Sequence, residues 1–208
     1  MNNYDPIARY YDLLSRLFFG RSEILAQVEL LGYVAAGSRM LIVGGGTGWI
    51  LEEIAERYPD GLRITYVESS GEMMRRARQR HVGASVVSFV ELPIEAFVTD
   101  ERYDCILTGF LFDNFSAGLA ARVVGWLCPM LESDGCWLFA DFYYRRRDSR
   151  FWHGLMLRVM YFSARLICKV DAYELPDMDE LFAQAGFAPV RVSWYYRGFI
   201  KAVAYRRG

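Results

Sequence analysis

Short apolar runs alternate with amphipathic stretches along most of the chain. RMLIVG at 39–44 is a nearly continuous apolar run of strand length. After it, residues 47–58 place Ile50, Leu51, Ile54 and Ala55 on one helical face and Glu52, Glu53 and Glu56 on the other, until Pro59-Asp60-Gly61 ends the helix. LRITYV (62–67), SVVSFV (85–90), DCILTGF (104–110) and CWLFADF (136–142) are predicted as four further strands. An arginine-rich helix is predicted over 70–81, and another at 117–131 leading into the turn Ser133-Asp134-Gly135. Strands that alternate with helices imply βαβ units and a mostly parallel sheet covered on both faces. The end of the chain differs. A short helix at 177–185 precedes two strand-like runs, APVRVSWYY and FIKAVAYRR, which Arg197-Gly198 divides as a hairpin turn. The predicted fold is therefore α/β: a doubly wound, mostly parallel sheet that finishes in an antiparallel hairpin.

Length and composition narrow this picture. The chain has 208 residues, enough for one domain spanning 1–208, and no repeat or linker divides it. With 53% hydrophobic and 16% aromatic residues it is not a disordered chain, and some of that apolar surface is available for a pocket. Cys105, Cys128, Cys136 and Cys168 show no CxxC spacing and read as free thiols in a reducing compartment, with no metal site. The start, MNNYDP, is polar and Arg16 interrupts the first apolar stretch, so no signal peptide is expected. Arg158, Arg165 and Lys169 argue against a spanning helix at 151–170, and a cytoplasmic protein is expected. Charge is uneven: residues 1–144 carry 12 Lys and Arg against 19 Asp and Glu, whereas residues 145–208 carry 12 against 6. That basic end is either a solvated face or a contact for an anionic surface or substrate.

The candidate chemistry starts at LIVGGGTGWI, 41–50. Strand, glycine turn and helix together place a ligand at the carboxyl end of the first strand, where exposed N–H groups and missing Cβ atoms permit close approach. The dinucleotide pattern GxGxxG fails here, because Trp49 or Leu51 stands where its third glycine belongs, and no lysine follows as in a phosphate loop. What remains is GxGxG with Glu68 twenty residues after Gly48, at the end of the second strand. A carboxylate in that place can accept both hydroxyls of a ribose.

On these residues the chain resembles the class I S-adenosylmethionine-dependent methyltransferases, whose loop reads much like LDVGCGTG. The resemblance implies a Rossmann-like, seven-stranded sheet and S-adenosylmethionine as cofactor. It also implies that Gly44, Gly46 and Gly48 lie against the methionine and ribose parts and that Glu68 binds the ribose. Ile42 departs from the family, which usually has an acidic residue there near the cofactor's amino group. FVELPIEAF (89–97) resembles the family's segment after the third strand. It implies adenine contacts at Pro93, in the position of the family's acidic residue, and at Ile94, with Glu95 close by. TGFLFDNF (108–115) matches the end of the fourth strand, where cofactor meets substrate, which adds Thr108. YDPIARYYDLLSRLFFG (4–20) resembles a segment that folds over the cofactor, so residues 1–30 are expected as a helical lid in which Tyr11 or Tyr10 closes the site. Ordinary packing of those tyrosines is the competing reading.

Methyl transfer from a sulfonium relies on alignment and exclusion of water, and needs a base only where the acceptor must lose a proton. Candidates for that base are His153, beyond the fifth strand, and Asp113 and Asp141, after the fourth and fifth strands, where an aspartate also suits a cap or turn. His81 closes a helix and reads as structural. A helical insertion is expected at 145–175. Within it Arg147, Phe151, Gly154, Arg158, Phe162, Arg165 and Lys169 form one narrow stripe on an otherwise apolar helix. Such a helix roofs a hydrophobic pocket, lies on an anionic membrane surface, or packs on the sheet with its stripe in water. RRRDSR (145–150) offers a contact for phosphate or carboxylate on a substrate.

Within the family the resemblance is closest to the ubiquinone and menaquinone methyltransferase type, which implies a small, hydrophobic or aromatic acceptor. Two readings compete with transfer to such a molecule. One is a cofactor-binding regulator or partner subunit without activity, motivated by Ile42 and Pro93. The other is methylation of RNA or protein, which the acidic body and the lack of an NPPY-like tetrapeptide at 109–112 make less apt, so no nucleic-acid partner is expected.

Overall fold

Residues of the first strand, β1 (Arg39–Val43), alternate between two cores. Met40 and Ile42 pack on one face of the sheet and Leu41 and Val43 on the other, and all four are almost completely buried. Burial of each such side chain stabilises the fold by about 1.5–3 kcal/mol. An apolar run without polar alternation therefore becomes the centre of a sheet covered on both sides. The computed structural model describes residues 19–143 and 175–208. The Tyr10 and Tyr11 part of the expected lid, His153, the basic stripe and the expected insertion except Leu175 lie outside these residues.

The described elements run α1 (Ser22–Leu30), β1, α2 (Trp49–Arg57), β2 (Arg63–Glu68), α3 (Gly71–Ala77), β3 (Val86–Glu91), β4 (Tyr103–Gly109), α4 (Ala117–Leu127), β5 (Leu131–Phe142), α5 (Met178–Gln184), β6 (Phe187–Tyr195) and β7 (Ile200–Arg207). Seven strands form one sheet in the order β3-β2-β1-β4-β5-β7-β6. β1 to β5 pair in parallel, whereas β7 runs antiparallel between β5 and β6. The hairpin turns at Tyr196, Arg197 and Gly198, with φ of 46°, 56° and 90°. Strand order reverses at β1, between β2 and β4, and ligands of such sheets bind in the crevice beyond the carboxyl ends at that point.

Three sequence boundaries shift for physical reasons. The arginine-rich helix stops at Ala77, after which Arg80 N–H bonds Ala77 O three residues back, so His81 lies beyond the helix and does not close it. Pro129 lacks an N–H, and α4 accordingly ends at Leu127 and passes into a 3₁₀ turn, Cys128–Met130. The expected turn at 133–135 sits inside β5. Its pairing with β4 jumps from Tyr103–Leu131 to Cys105–Cys136, and residues 132–135 loop out between them.

α1 lies across β5, β6 and β7. Glu29 fixes it there, accepting from Ser193 Oγ at 2.6 Å and from the Tyr195 hydroxyl and facing Arg191 at 3.6 Å. These partners hold the Glu29 carboxyl below its usual range.

Candidate active site

The glycine turn after β1 is clamped from three sides. Tyr66 on β2 passes beneath it: a Cβ on Gly45 would stand 2.2 Å from the ring, whose hydroxyl donates to Gly46 O at 3.0 Å. Glu68, at the end of β2 and 8% exposed, accepts from Gly46 N through Oε2 at 2.9 Å and from Ser70 N through Oε1 at 2.8 Å. One carboxylate thereby ties the turn to the start of α3 at the rim of a cavity. Arg80 holds the far end of the turn, donating to Thr47 O at 2.9 Å. Gly44 and Gly46, with φ of 67° and 62°, occupy the left-handed region where a side chain costs strain.

Above the turn opens a cavity of 340 Å³, within the roughly 300–1,000 Å³ of small-molecule sites. Gly44, Gly46, Glu68, Pro93, Ile94 and Glu95 line it, bringing the glycine turn, the end of β2 and the segment after β3 to one space. The opposite wall comes from the end of β4 and the residues after it: Gly109, Phe110, Leu111, Phe115 and Leu119. Phe110 has φ of 53°, an uncommon conformation for a bulky residue, held by its N–H bonding Ala140 O at 2.7 Å. Among the described lining residues the charged groups are all carboxylates, Glu23, Glu68 and Glu95.

Four expected site residues fall elsewhere. Gly48 caps α2 with φ of 78°, and a Cβ there would meet Ala77 Cα at 2.7 Å, so this glycine serves the approach of α3 and does not line the cavity. Thr108 is fully buried and does not line the cavity; its hydroxyl accepts from Trp137 Nε1 at 2.9 Å. Asp141 is 2% exposed and does not line the cavity. Its carboxylate receives Phe112 N at 2.9 Å, Asp113 N at 3.3 Å and Phe142 N at 2.8 Å, and so organises the turn that follows β4. Burial outweighs these bonds and pushes the Asp141 carboxyl up to about 7. Asp113, beside it, accepts from Asn114 Nδ2 at 2.7 Å and is also off the cavity wall. Burial first, then the charges of Asp141 and Glu23, raise it well above the usual carboxylate range.

Sequence reading missed Glu23 and Gln27 of α1, which both line the cavity. Their spacing of four puts them on one helical face, a signal present in SEILAQVEL but overshadowed by the glycine turn. Ile42 is 1% exposed, belongs to the core and also borders the cavity.

The chain is similar to known proteins along most of its length. A family model described as a methyltransferase domain matches residues 40–135. The chain is 30% identical over 187 residues to a ubiquinone/menaquinone biosynthesis C-methyltransferase of Geotalea daltonii, covering 84% of this chain and 77% of that one. It is 33% identical over 140 residues to a malonyl-[acyl-carrier protein] O-methyltransferase of Acetivibrio thermocellus, covering 67% of this chain but only 45% of that protein's length. Among solved structures, the DhpI complex with S-adenosylhomocysteine superposes with a TM-score of 0.72 at 17% identity, over 99% of this chain and 93% of that one. Among the described residues no helix is long and apolar enough to cross a membrane.

Proposed function

The chain belongs to the class I S-adenosylmethionine-dependent methyltransferases, and on that premise we propose that it methylates a small, hydrophobic or aromatic acceptor by in-line displacement. The observation that carries this reading is the one cavity that the glycine turn, Glu68 and the apolar residues after β4 line together. The residues fit the cofactor of the family. Gly44 and Gly46 present bare backbone to the cavity in a conformation that favours glycine, Glu68 places a carboxylate on its wall in reach of ribose hydroxyls, and Pro93 and Ile94 offer an apolar surface for a base ring. When bound, S-adenosylmethionine supplies a methyl on a sulfonium, a leaving group already activated.

The protein's task is alignment. Leu111 and Phe110 close the cavity over the glycine turn, a Cβ on Gly44 standing 2.8 Å from Leu111 Cδ1, which excludes water from that side. Orientation of two reactants in such a space is worth effective molarities of about 10⁵–10⁸ M. Asp141 acts on this wall through the backbone, fixing the turn that carries Phe112 and Asp113. The absence of lysine and arginine among the described lining residues argues against an anionic acceptor, and the Geotalea relative is named for quinone biosynthesis. The basic residues Arg158, Arg165 and Lys169 in the otherwise apolar sequence 151–170 support delivery from an anionic membrane surface. Cys105, Cys128 and Cys136 are unpaired, which supports a reducing compartment such as the cytoplasm.

Isothermal titration with S-adenosylhomocysteine, followed by transfer of labelled methyl to a panel of hydroquinones, phenols and acyl thioesters, tests the reading. Label is expected in an organic-extractable product, with binding lost in Glu68→Ala. Label that accumulates only in RNA or protein overturns the choice of acceptor.

A further inference from the structure

Gln27 is a buried amide without a hydrogen-bond partner among the described residues. It is 8% exposed, and it lines the cavity. A Cβ on Gly109 would stand 2.4 Å from Gln27 Oε1, so the amide lies directly against the end of β4. An amide buried in that way carries a desolvation cost that nothing described offsets. Such a group is explained when a ligand completes its bonding. Glu23, one turn earlier on α1, lines the same cavity and adds a negative charge. No described lining residue is cationic, so the cavity favours a ligand with positive charge.

The sheet edge orders the rest. Pro93 and Ile94 follow β3, Glu68 ends β2, and Gln27 and Glu23 reach the cavity over the end of β4, with apolar Ile42 of β1 between. A base at β3 and a ribose at β2 leave the space at β1 and β4 for the amino-acid end of the cofactor.

We propose that Glu23 and Gln27 bind the α-ammonium and α-carboxylate of S-adenosylmethionine, supplying from α1 the polar contact that Ile42 does not provide. Glu23 takes the ammonium. Gln27 accepts from the ammonium through Oε1 and donates to the carboxylate through Nε2. This assignment rests on the cofactor reading above. It makes α1 part of the cofactor site and sets a specificity for the intact amino acid.

Titration calorimetry with two probes separates the possibilities: S-adenosylhomocysteine, which has the amino-acid end, and 5′-methylthioadenosine, which lacks it. Glu23→Gln and Gln27→Met are each expected to weaken S-adenosylhomocysteine about tenfold or more, while 5′-methylthioadenosine changes by less than about twofold. Glu68→Ala is expected to weaken both. Gln27→Met removes an amide that has no described partner, so the unliganded variant should melt at or above the wild-type temperature. Equal weakening of both probes by the α1 variants, or no change in either, overturns the proposal. A wild-type chain that binds neither probe overturns the cofactor reading, and the proposal with it.

Discussion

The clearest quantitative consequence concerns Gly45. Its φ is not in the left-handed region, so alanine meets no backbone penalty there, yet a Cβ would lie 2.2 Å from Tyr66 Cζ and 2.3 Å from Cε2. Tyr66 is fully buried and cannot swing into solvent. Gly45→Ala must then move either the ring or the turn, an overpacking that costs about 1–3 kcal/mol. Displacement also breaks the 3.0 Å bond from the Tyr66 hydroxyl to Gly46 O, worth about 1 kcal/mol. Together these give a loss of roughly 2–4 kcal/mol from a typical stability of about 5–15 kcal/mol. Urea denaturation followed by circular dichroism reads this directly. In a Tyr66→Leu background the ring is gone, and the same Gly45→Ala change should cost less than about 1 kcal/mol. Gly46→Ala is the contrasting control. There φ is 62° and the nearest atom to a Cβ is Met73 Sδ at 3.8 Å, so its cost is backbone strain of about 1–2 kcal/mol that Tyr66→Leu does not relieve. A Gly45→Ala protein within about 0.5 kcal/mol of wild type would refute the clamp.

Three further outcomes are expected. Thr108→Val strands the buried Trp137 N–H and should lower stability by about 1–3 kcal/mol while S-adenosylhomocysteine affinity by calorimetry stays unchanged; a large affinity loss would return Thr108 to the cofactor site. Asp141 keeps its proton in the folded state up to about pH 7, whereas the unfolded chain releases it near 3.8. The folded state then binds the extra proton between those values, so the Asp141 contribution makes stability fall as pH rises from about 4 to 7 and stay level above. Denaturation of wild type and Asp141→Asn across that range should show the wild type losing ground to the variant, by up to about 4 kcal/mol, and a difference of opposite slope would contradict the assignment. Glu29 has the reverse sign. Its folded carboxyl is held below the unfolded value of 4.5, so its contribution is present above that pH and lost below it, and Glu29→Gln should cost no more than about 1 kcal/mol at pH 7 because the group is partly exposed.

The parallel strands were legible because a strand buried on both faces must be apolar throughout, as RMLIV is, and because each amphipathic helix between them shows its own period. The hairpin was legible from Arg197-Gly198, since a turn with three successive positive φ values needs a glycine among them. Thr108 lies off the cavity wall, and alternation along β4 alone does not foretell this: its neighbours Leu107 and Gly109 line the cavity, but so does its partner Val43, and what turns Thr108 away is its bond with the buried Trp137. Gly48 illustrates a different limit: φ of 78° marks the position, but only the approach of Ala77 reveals that the glycine serves packing. Glu23 and Gln27 were hidden because their role depends on α1 crossing to the end of β4, a placement set by Glu29 and the far hairpin, more than 160 residues along the chain.

That placement has a consequence for how the molecule comes into being on the ribosome. The glycine turn, Glu68 and the wall after β4 all belong to a contiguous stretch that emerges early, and the parallel strands β1 to β4 can pair as they appear. The floor beneath α1 includes β6 and β7, which are translated last of the described elements. α1 therefore completes its packing only once β6 and β7 have been synthesised, although β5 and α2 cover part of it earlier. The bonds from Ser193 and Tyr195 that seat Glu29, and with it the cavity-lining Glu23 and Gln27, form only once that last hairpin is in place.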